Sequence, residues 1–293
     1  MKLEEGVPLS RFTTIGTGGP ARFFARPASL AELEDLLAWA AAEDMAVEAI
    51  GLGSNLLVHD DGVDALVLRL EGELAEARVE GDVLVAGGGA TNAVCLHRAR
   101  DADRGGLEFA SAIPGTVGGG VRMNAGAYGF EFRDVLVEAT VVSAGGGART
   151  VGAEELQLSY RHSALSAGEV VALVRLRLEA RPAAEVRARV ASLLDQRKAT
   201  QPTTKRTFGS VFKNPAGDRG AGRLIEECAL KGHRVGGALI SPRHANFIEN
   251  AGDATSADAI ALMAEARRRV HQRYGLELEH EVRFLGPLEL PRL

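Results

Sequence analysis

Long apolar runs are missing from this sequence of 293 residues, and cysteine is scarce. No segment approaches the roughly 18 consecutive apolar residues that a membrane-spanning helix needs. The N-terminal MKLEEGVPLSRF also lacks the apolar core that is typical of a secretory signal. Cys95 and Cys228 occur without a CxxC motif, which indicates two reduced thiols rather than a disulfide framework. We therefore expect a soluble, cytoplasmic protein that contacts no membrane.

Metal-ligand spacings and an excess of positive charge are also absent. The seven histidines show no spacing of the kind that holds structural zinc, so no metal site is expected. A formal net charge of −5 argues against general nucleic-acid binding, because the phosphate backbone selects Lys and Arg. Hydrophobic residues make up 46% of the chain, which is enough for a sizeable core. The length predicts about two domains, or three small ones.

The most unusual segment is LEFASAIPGTVGGGVRMNAGAYG, which runs from Leu107 to Gly129 and contains six glycines. Glycine costs backbone entropy, so a fold keeps this many only where turns are tight or where bare backbone must approach a partner. The loop-like pattern fits turns in a sheet-rich domain and fits an anion-binding loop for a pyrophosphate equally well. A simple Rossmann fingerprint is not favoured, because no GxGxxG opens a helix here.

A second glycine motif, GLGSN, occupies residues 51–55 and follows a predicted strand at Val47–Ile50. Loops that follow strands often bind ligands in α/β layers, and the backbone and hydroxyl groups of GLGSN suit phosphate oxygens. On spacing alone, an ordinary turn explains the motif as well. Upstream, Ser29 and Glu32 form an S-x-x-E pattern that predicts a helix start.

The remaining pattern predicts alternating helices and strands. Apolar residues that alternate with charged ones from Val170 to Glu179 predict a strand with one solvated face. The clustered threonines and Pro202 predict a connection that reaches Ser210. Further predicted elements are helices at 91–102, 182–199 and 255–274, and strands at 65–70, 135–142 and within LELEHEVRFLG.

Three short polar pieces lie far apart in the sequence: SYRHS with Arg161, GSVFKNP with Ser210, and HEVRFLG with Glu281. Taken singly, Arg161 is explained by a surface charge and Ser210 by a turn hydroxyl. Glu281 shares its parity with Glu277 and Glu279, so a solvated strand face explains all three carboxylates. A functional interpretation therefore depends on all three pieces occurring in the same chain.

Eight pieces in order along nearly the whole chain resemble the UDP-N-acetylenolpyruvoylglucosamine reductase family. A short gap between SYRHS and GSVFKNP is similar to the type II branch of that family, whereas Thr200 stands where a Lys is frequent. The eight pieces are TTIGTGGPA, GLGSNLLV, LEFASAIPGTVGGGVRMNAGAYG, SYRHS, GSVFKNP, AGRLIEECALKG, SPRHANFIEN and HEVRFLG.

The resemblance implies an α+β fold: a vanillyl-alcohol-oxidase/PCMH-type FAD-binding fold with a third, α+β substrate-binding domain. It implies that residues 1–70, joined by a C-terminal strand at 280–293, form the first FAD-binding subdomain. Residues 71–202 would form the second FAD-binding subdomain, and residues 203–279 would bind the substrate.

The resemblance also implies the chemistry, with FAD as cofactor and NADPH as hydride donor. The reaction would reduce UDP-N-acetylglucosamine-enolpyruvate to UDP-N-acetylmuramate in peptidoglycan precursor synthesis. Arg161 would bind the substrate carboxylate, Ser210 would donate a proton, and Glu281 would stabilise or protonate the intermediate. Expected cofactor contacts are Gly51, Gly53, Ser54, Asn55, Ile113, Pro114, Gly115, Gly118, Gly119, Asn124 and Gly126, and expected substrate contacts are Tyr128, Lys213 and Asn214.

Two rival interpretations stay open at this point. One is a flavin oxidase on the same binding fold, which would use oxygen and another substrate. The other is a UDP-sugar or nucleotide binding module without catalysis, which would bind no flavin. The oligomeric state is not predicted.

Overall fold

The computed structural model describes residues 2–145 and 147–293, which contain both strands and helices. The longest strands have 8 residues and lie in the middle of the chain. In chain order the strands are β1 (Glu4–Pro8), β2 (Pro20–Ala25), β3 (Val47–Ala49), β4 (Leu56–Val58), β5 (Val63–Leu68), β6 (Ala77–Glu80), β7 (Val83–Gly87), β8 (Arg104–Gly105), β9 (Gly126–Ala127), β10 (Phe130–Glu131), β11 (Leu136–Ser143), β12 (Gly147–Gly152), β13 (Val170–Arg177), β14 (Glu179–Ala180), β15 (Arg206–Ser210), β16 (Arg234–Val235), β17 (Ala238–Ile240), β18 (Phe247–Asn250) and β19 (Arg283–Leu285).

The α-helices range from 4 to 19 residues. Within the described ranges, none is long and apolar enough to cross a membrane. The α-helices are α1 (Leu30–Ala42), α2 (Asn92–Asp101), α3 (Val117–Arg122), α4 (Phe132–Val135), α5 (Ala183–Thr200), α6 (Ala221–Glu227) and α7 (Ser256–Tyr274), and short 3-10 helices lie at Leu9–Phe12, Gly72–Ala75 and Glu108–Ala112.

The chain divides into two compact units, each with hydrophobic core clusters of its own. Unit 1 takes in the chain up to residue 5, then Phe23–Leu52 and Ala65–Arg197. Unit 2 consists of Gly6–Arg22, Gly53–Asp64 and Lys198–Leu293. The domain boundaries predicted at residues 70, 202 and 279 refer to ligand-binding roles and stay a prediction.

Unit 1 is built on an antiparallel sheet with the strand order β12-β11-β13-β7-β6. Helices α2 and α3 pack against this sheet, and a large apolar cluster fills the space between them. The predicted strand with one solvated face corresponds to β13, but its first three residues are all buried. The solvated side is therefore confined to the end that carries Arg175 and Arg177.

Helix α1 begins where the sequence predicts. The Ser29 hydroxyl accepts a hydrogen bond from the Glu32 N–H at 3.3 Å, as an N-cap does. The Glu32 carboxylate instead accepts from the Ala28 N–H at 2.8 Å, one residue before the N-cap, so only half of the expected capping box forms. The apolar residues at helical spacing are buried: Leu33, Leu36, Leu37 and Ala40.

Unit 2 is built on an antiparallel sheet with the strand order β15-β18-β17-β16, against which α7 packs. Helix α6 packs on α7, and an apolar cluster joins the helices to the sheet. Strand β19, near the C-terminus, pairs in parallel with β4. The end of the chain thereby returns to the segment that directly follows GLGSN.

Both ends of α7 match the sequence prediction. Thr255 and Asp258 form a complete capping box, and Gly275 ends the helix with a left-handed φ of 65°. The Asp60 carboxylate adds two further hydrogen bonds, from the N–H groups of Ser256 at 2.8 Å and Ala257 at 3.0 Å. Such bonds occupy N–H groups that a helix leaves without internal partners.

Three local predictions are wrong. The glycine run at 118–120 is not a loop, because it lies in α3. The connection before Ser210 ends earlier, since Arg206–Ser210 is strand β15. The C-terminal strand covers only Arg283–Leu285, so Glu281 precedes it and the alternation from Glu277 to Glu281 does not describe a strand.

Candidate active site

The glycines of α3 serve two different purposes. A Cβ added at Gly118 would lie 2.7 Å from the Gly88 carbonyl oxygen, and one at Gly120 would lie 2.4 Å from the Phe132 ring. The lack of a side chain at these two positions lets α3 pack closely on its neighbours within unit 1. Gly119 is exposed, and a Cβ there would meet only the Thr116 hydroxyl, at 3.5 Å. The packing within the protein therefore explains Gly118 and Gly120 but leaves Gly119 open towards a ligand.

The turn Ile113–Pro114–Gly115, which precedes α3, is held by Asn92 at the start of α2. The Asn92 side-chain amide donates to the Ile113 carbonyl oxygen at 2.8 Å, and its backbone N–H donates to the Gly115 carbonyl oxygen at 3.0 Å. Asn92 is 3% exposed, and in the described part of the chain its Oδ1 atom has no hydrogen-bond partner. The turn is thus fixed from both sides by one buried residue.

The first glycine of GLGSN contacts the glycine-rich stretch within unit 1. A Cβ at Gly51 would lie 2.6 Å from the Thr116 hydroxyl oxygen. Thr116 is buried and caps α3 by accepting a hydrogen bond from the Gly119 N–H at 3.4 Å. The two motifs that the sequence predicts as partners in cofactor binding therefore meet at this point.

A tight hairpin presents Tyr128. Strands β9 and β10 are joined by Tyr128 and Gly129, whose φ angles of 54° and 85° match a type I′ turn. The Tyr128 ring is exposed, while its hydroxyl donates to the Leu193 carbonyl oxygen on α5 at 3.2 Å. A Cβ at Gly126 would lie 2.6 Å from Glu131, so Gly126 has a packing role in this hairpin.

Arg161 occupies a strained turn. Ser159 and His162 exchange two backbone hydrogen bonds of 3.0 and 3.1 Å, and Arg161 between them has a φ of 55°. A left-handed backbone costs energy for any residue with a Cβ, and such strain is often found at functional sites. The Arg161 guanidinium donates to the Gly126 carbonyl oxygen at 3.0 Å and lies 4.0 Å from the Glu131 carboxylate. Its orientation is therefore set by the Tyr128 hairpin.

Asn124 links the glycine-rich stretch to SYRHS. Its amide N–H groups donate to the Glu131 carboxylate and the Ser159 carbonyl oxygen, both at 2.9 Å. Its amide oxygen accepts from the Arg133 N–H at 2.9 Å, and the residue has no exposed surface. The expected contact between Asn124 and FAD stays a prediction. What the contacts support directly is a role in holding the turn that carries Arg161.

In unit 2, the second half of GLGSN lies beside two other predicted pieces. A Cβ at Gly209 would approach the Ser54 carbonyl oxygen to 3.1 Å, and the Asn55 side chain donates to the Glu281 carbonyl oxygen at 3.2 Å. Gly53 has a φ of 67°, and a Cβ there would lie 1.9 Å from the Phe12 carbonyl oxygen. Gly53 is therefore required by the packing of unit 2 itself.

Ser210 ends strand β15 immediately after an irregularity. The register between β15 and β18 shifts between Thr207 and Ser210, and Gly209 within this bulge has a φ of 84°. Bulges next to active sites re-aim side chains, and glycine is the residue that adopts this backbone without strain. The half-buried Ser210 is thus displayed by a local irregularity in the sheet.

Within unit 2, Glu281 is hydrogen-bonded to the residue that follows Ser210. Its backbone N–H donates to the Val211 carbonyl oxygen at 2.8 Å, so the residues that follow Ser210 and the segment that carries Glu281 are directly bonded. Glu281 is half-buried, whereas Glu277 and Glu279 are exposed. A common solvated face therefore does not account for all three carboxylates, and Glu281 differs from its neighbours.

The two other predicted residues of GSVFKNP already have protein partners. The Lys213 ammonium lies 2.5 Å from the Glu279 carboxylate, and its backbone N–H donates to the Glu279 carbonyl oxygen at 2.9 Å. The Asn214 side-chain oxygen accepts from the Ala221 N–H at 3.0 Å, at the start of α6. The contacts of Lys213 and Asn214 therefore help to hold the segment that follows Ser210 in place.

Burial shifts the pKa of several side chains, among them Cys95 and His244. Burial raises the pKa of the Cys95 thiol to about 12, so this cysteine is a neutral core residue at physiological pH. Burial, with a smaller contribution from Lys231, lowers the pKa of His244 below its ordinary value of 6.5. The His244 Nδ1 atom accepts a hydrogen bond from the Asn246 N–H at 3.2 Å, which requires that nitrogen to be unprotonated.

Comparison with known proteins identifies the family of this chain. An FAD binding domain family matches residues 21–152, and the C-terminal domain family of UDP-N-acetylenolpyruvoylglucosamine reductase matches residues 201–285. A reductase of that name, number 2 from Symbiobacterium thermophilum, is 44% identical over 97% of this chain and 92% of its own length. The chain belongs to the UDP-N-acetylenolpyruvoylglucosamine reductase family.

Other relatives support the same assignment. A UDP-N-acetylenolpyruvoylglucosamine reductase from Acidiphilium cryptum is 46% identical over 96% of this chain and 90% of its own length. The crystal structure of UDP-N-acetylenolpyruvylglucosamine reductase from Thermus caldophilus superposes with a TM-score of 0.85 at 38% identity, covering 98% of this chain and 100% of that one. The expected α+β class with an FAD-binding fold is confirmed, and so is FAD as the cofactor.

The residues of this reductase fit a bound FAD. The exposed Gly119, which no neighbouring side chain explains, leaves room for a ligand against the backbone. The contact between Gly51 and Thr116 brings two glycine motifs together at the same place. Backbone that a ligand can approach closely, with no side chain in between, suits a pyrophosphate.

Sequence reasoning missed the residues that position the site. These side chains act on the backbone or on other side chains, and their types carry no functional signature in the sequence. Glu131 contacts both Asn124 and Arg161, and Glu279 pairs with Lys213. Asn92 and Asn246 hydrogen-bond to loop backbone. A buried Asn is unusual in a core, but burial is not visible before the fold is known.

Proposed function

We propose that this chain reduces the enolpyruvyl ether of UDP-N-acetylglucosamine-enolpyruvate to UDP-N-acetylmuramate, with NADPH as reductant, and that Arg161, Ser210 and Glu281 carry the reaction. Bound FAD, which the glycine motifs around Gly51 and Gly119 would hold, would supply the hydride transfer between NADPH and the enolpyruvyl group. Family membership over nearly the whole chain is the observation that carries the assignment. The residue roles rest on chemistry and on the contacts within each unit.

Arg161 is assigned to the substrate carboxylate. Hydride addition builds negative charge on the carbon next to that carboxylate, and a preorganised cation stabilises such charge. A planar guanidinium matches a carboxylate with two parallel hydrogen bonds and stays protonated. The hydrogen bond from Arg161 to the Gly126 carbonyl oxygen supports this role, because it holds the guanidinium before the substrate arrives.

Ser210 is assigned as the proton donor to the carbon that does not receive the hydride. A serine hydroxyl is a very weak acid, so it can act only towards a strongly basic enolate. The bulge at Gly209 supports the assignment, since it sets the direction of the serine side chain independently of the regular ladder.

Glu281 is assigned to the same intermediate, as a group that stabilises or protonates it. The hydrogen bond from its N–H to the Val211 carbonyl oxygen supports this role, because it holds Glu281 beside Ser210. Its half-buried position, in contrast to Glu277 and Glu279, also favours a specific function over solvation.

The binding residues complete the proposal. We assign the pyrophosphate of FAD to the backbone of GLGSN and of the glycine-rich stretch, and the UDP-sugar to Tyr128, Lys213 and Asn214. Because Lys213 is paired with Glu279, binding of an anionic sugar nucleotide would require Lys213 to exchange partners. A cytoplasmic location follows from the two soluble nucleotides that the reaction consumes.

The proposal is tested on purified protein under anaerobic conditions. We expect a yellow protein whose flavin absorbance is bleached by NADPH and restored by the enolpyruvyl UDP-sugar, with formation of UDP-N-acetylmuramate. Flavin that is reoxidised only by oxygen would favour an oxidase, and protein that takes up no FAD would favour a binding module. Either result would overturn the proposed function.

A further inference from the structure

We propose that Asn246 is the positioning residue that fixes Ser210 and Glu281 relative to each other. The inference rests on the proposed function, since it assigns to Asn246 a part in the protonation step. Asn246 lies in the loop between β17 and β18, in the piece SPRHANFIEN, and the resemblance assigns it no role in the reaction.

The need for such a residue arises at the bulge. Strands β15 and β18 pair regularly from Arg206 opposite Asn250 to Thr207 opposite Glu249, and then the register shifts so that Ser210 is opposite Phe247. Beyond this point β15 ends, and Phe212 forms an isolated antiparallel bridge with His280 instead of continuing the ladder with β18. Backbone groups that are buried without partners are costly, so something must replace the ladder.

Asn246 supplies the hydrogen bonds that the ladder would otherwise provide, and it does so with both backbone and side-chain atoms. The Asn246 carbonyl oxygen accepts from the Val211 N–H at 2.9 Å. Its side-chain oxygen accepts from the Phe212 N–H at 2.9 Å, and its side-chain amide donates to the Phe212 carbonyl oxygen at 2.8 Å. The three hydrogen bonds hold three consecutive peptide groups directly after Ser210.

The same peptide groups hold Glu281. The Val211 carbonyl oxygen, which lies between the groups bonded to Asn246, accepts from the Glu281 N–H at 2.8 Å. Ser210 is therefore attached at one end of the clamped segment, and Glu281 is hydrogen-bonded to its middle. A shift of this segment would move the serine hydroxyl and the carboxylate together.

Asn246 is suited to the task because it is rigidly held. It is 4% exposed, and both ends of its amide bond to one residue, Phe212, which is 2% exposed. A buried amide that donates and accepts towards the same backbone specifies a single orientation. An Asp at this position would keep the acceptor but place a carboxylate against the Phe212 carbonyl oxygen.

The experiment compares the two half-reactions of FAD-loaded holoenzyme by anaerobic stopped flow. We expect Asn246→Ala to slow flavin reoxidation by the enolpyruvyl UDP-sugar about 10- to 100-fold, since small displacements of reacting groups cost rates of that order. Flavin reduction by NADPH should change less than about twofold, because that step uses neither Ser210 nor Glu281. A general loss of structure would instead lower both rates or the amount of holoenzyme.

Asn250→Ala is the matched control. Asn250 is at the other end of β18, and its side chain makes three hydrogen bonds, one to the Ile15 carbonyl oxygen and two from the N–H groups of Gly252 and Ala254. We expect it to lower thermal stability without a selective effect on reoxidation. Equal effects of the two alanine variants on reoxidation would overturn the positioning role. Should Asn246→Ala fail to fold, Asn246→Asp is measured in the same way, and unchanged reoxidation would again overturn it.

A double variant separates this inference from the proposed function. In a Ser210→Ala background, adding Asn246→Ala should cost clearly less in reoxidation rate than it costs in the wild type, because one of the two groups that it positions is already absent. A full further loss would mean that Asn246 acts independently of Ser210. Wild-type protein that is not reoxidised by the UDP-sugar, or a Ser210→Ala variant with normal reoxidation, would instead refute the proposed function or the serine assignment.

Discussion

The glycine-rich stretch of unit 1 and the Ser210 segment of unit 2 reach a defined geometry by opposite means. In unit 1, Gly118 and Gly120 bring backbone into contact with neighbours that a single methyl group would strike. In unit 2, Val211 and Phe212 are held by hydrogen bonds from a buried amide and from Glu281. The first region depends on absent side-chain volume, and the second depends on polar groups that are present.

This difference suits what each region is proposed to hold. A cofactor pyrophosphate needs close access to backbone, so side chains must be missing around it. A proton donor and its carboxylate partner need fixed positions, so neighbouring residues must bind them tightly. We therefore expect added volume to damage unit 1 selectively, and removed polar groups to damage unit 2 selectively.

The largest effect is expected from Ser210→Ala. Removal of a group that transfers a proton costs about 10²- to 10⁴-fold, so flavin reoxidation by the enolpyruvyl UDP-sugar should slow by that factor. Reduction of the flavin by NADPH should stay near the wild-type rate. Stopped-flow measurement of both steps checks this, and an equal loss in both would remove Ser210 from its assigned role.

A somewhat smaller effect is expected from Arg161→Lys. The charge is kept but the planar fork is lost, so turnover should fall about 100-fold, the order found when one stabilising donor is removed. Steady-state kcat and kcat/KM are the measurement, with the exposed Arg78→Lys on β6 as the matched control. Turnover close to wild type in Arg161→Lys would count against the carboxylate role.

The glycine pair in α3 tests the volume argument directly. Gly120→Ala places a methyl group 2.4 Å from the Phe132 ring, so we expect it to destabilise the protein by about 1–3 kcal/mol. Gly119→Ala meets no such obstacle and should leave the melting temperature unchanged or slightly raised, because Ala favours a helix over Gly.

Calorimetry and FAD titration distinguish the two variants. Gly119→Ala is expected to weaken FAD binding while the apoprotein stays stable, whereas Gly120→Ala should lower the melting temperature of apoprotein and holoenzyme alike. Unchanged FAD affinity in Gly119→Ala would show that this open position does not face the cofactor.

The smallest effect concerns pH and the loop that carries Asn246. The folded-state pKa of His244 is lowered by burial, so the folded protein binds fewer protons here than the unfolded chain. The contribution of His244 to the free energy of unfolding is therefore complete above pH 6.5, its ordinary pKa, and it is lost as the pH falls through 6.5 towards the folded-state pKa. Denaturant unfolding between pH 7.5 and about 5 should show a shallower pH slope for His244→Gln. The exposed His271→Gln is the control, and identical slopes for wild type and His244→Gln would contradict the assignment.

Long, strongly patterned elements were predictable from the sequence. Helix α7 carries its start and stop signals in Thr255, Asp258 and Gly275, and the structure confirms both ends. The glycine run at 118–120 led to the wrong expectation of a loop, because glycine disfavours helices locally. The contacts of Gly118 with Gly88 and of Gly120 with Phe132 explain why glycines are kept in this helix. Tertiary packing outweighs local propensity at such positions.

The candidate site was predictable as a set of motifs but not as a geometry. The resemblance selected Arg161, Ser210 and Glu281, and family membership is now established. The bulge at Gly209 and the clamp by Asn246 depend on a register shift between strands distant in sequence. Such long-range pairing leaves no local pattern, which is why these features became visible only in the structure.

The most direct test is a crystal structure of the protein with FAD and the enolpyruvyl UDP-sugar bound. The account predicts that the Arg161 guanidinium from unit 1 contacts the substrate carboxylate, while the Ser210 hydroxyl and Glu281 carboxylate from unit 2 lie within about 4 Å of the enolpyruvyl carbons above the flavin ring. A structure in which any of these three side chains lies remote from the isoalloxazine would contradict it.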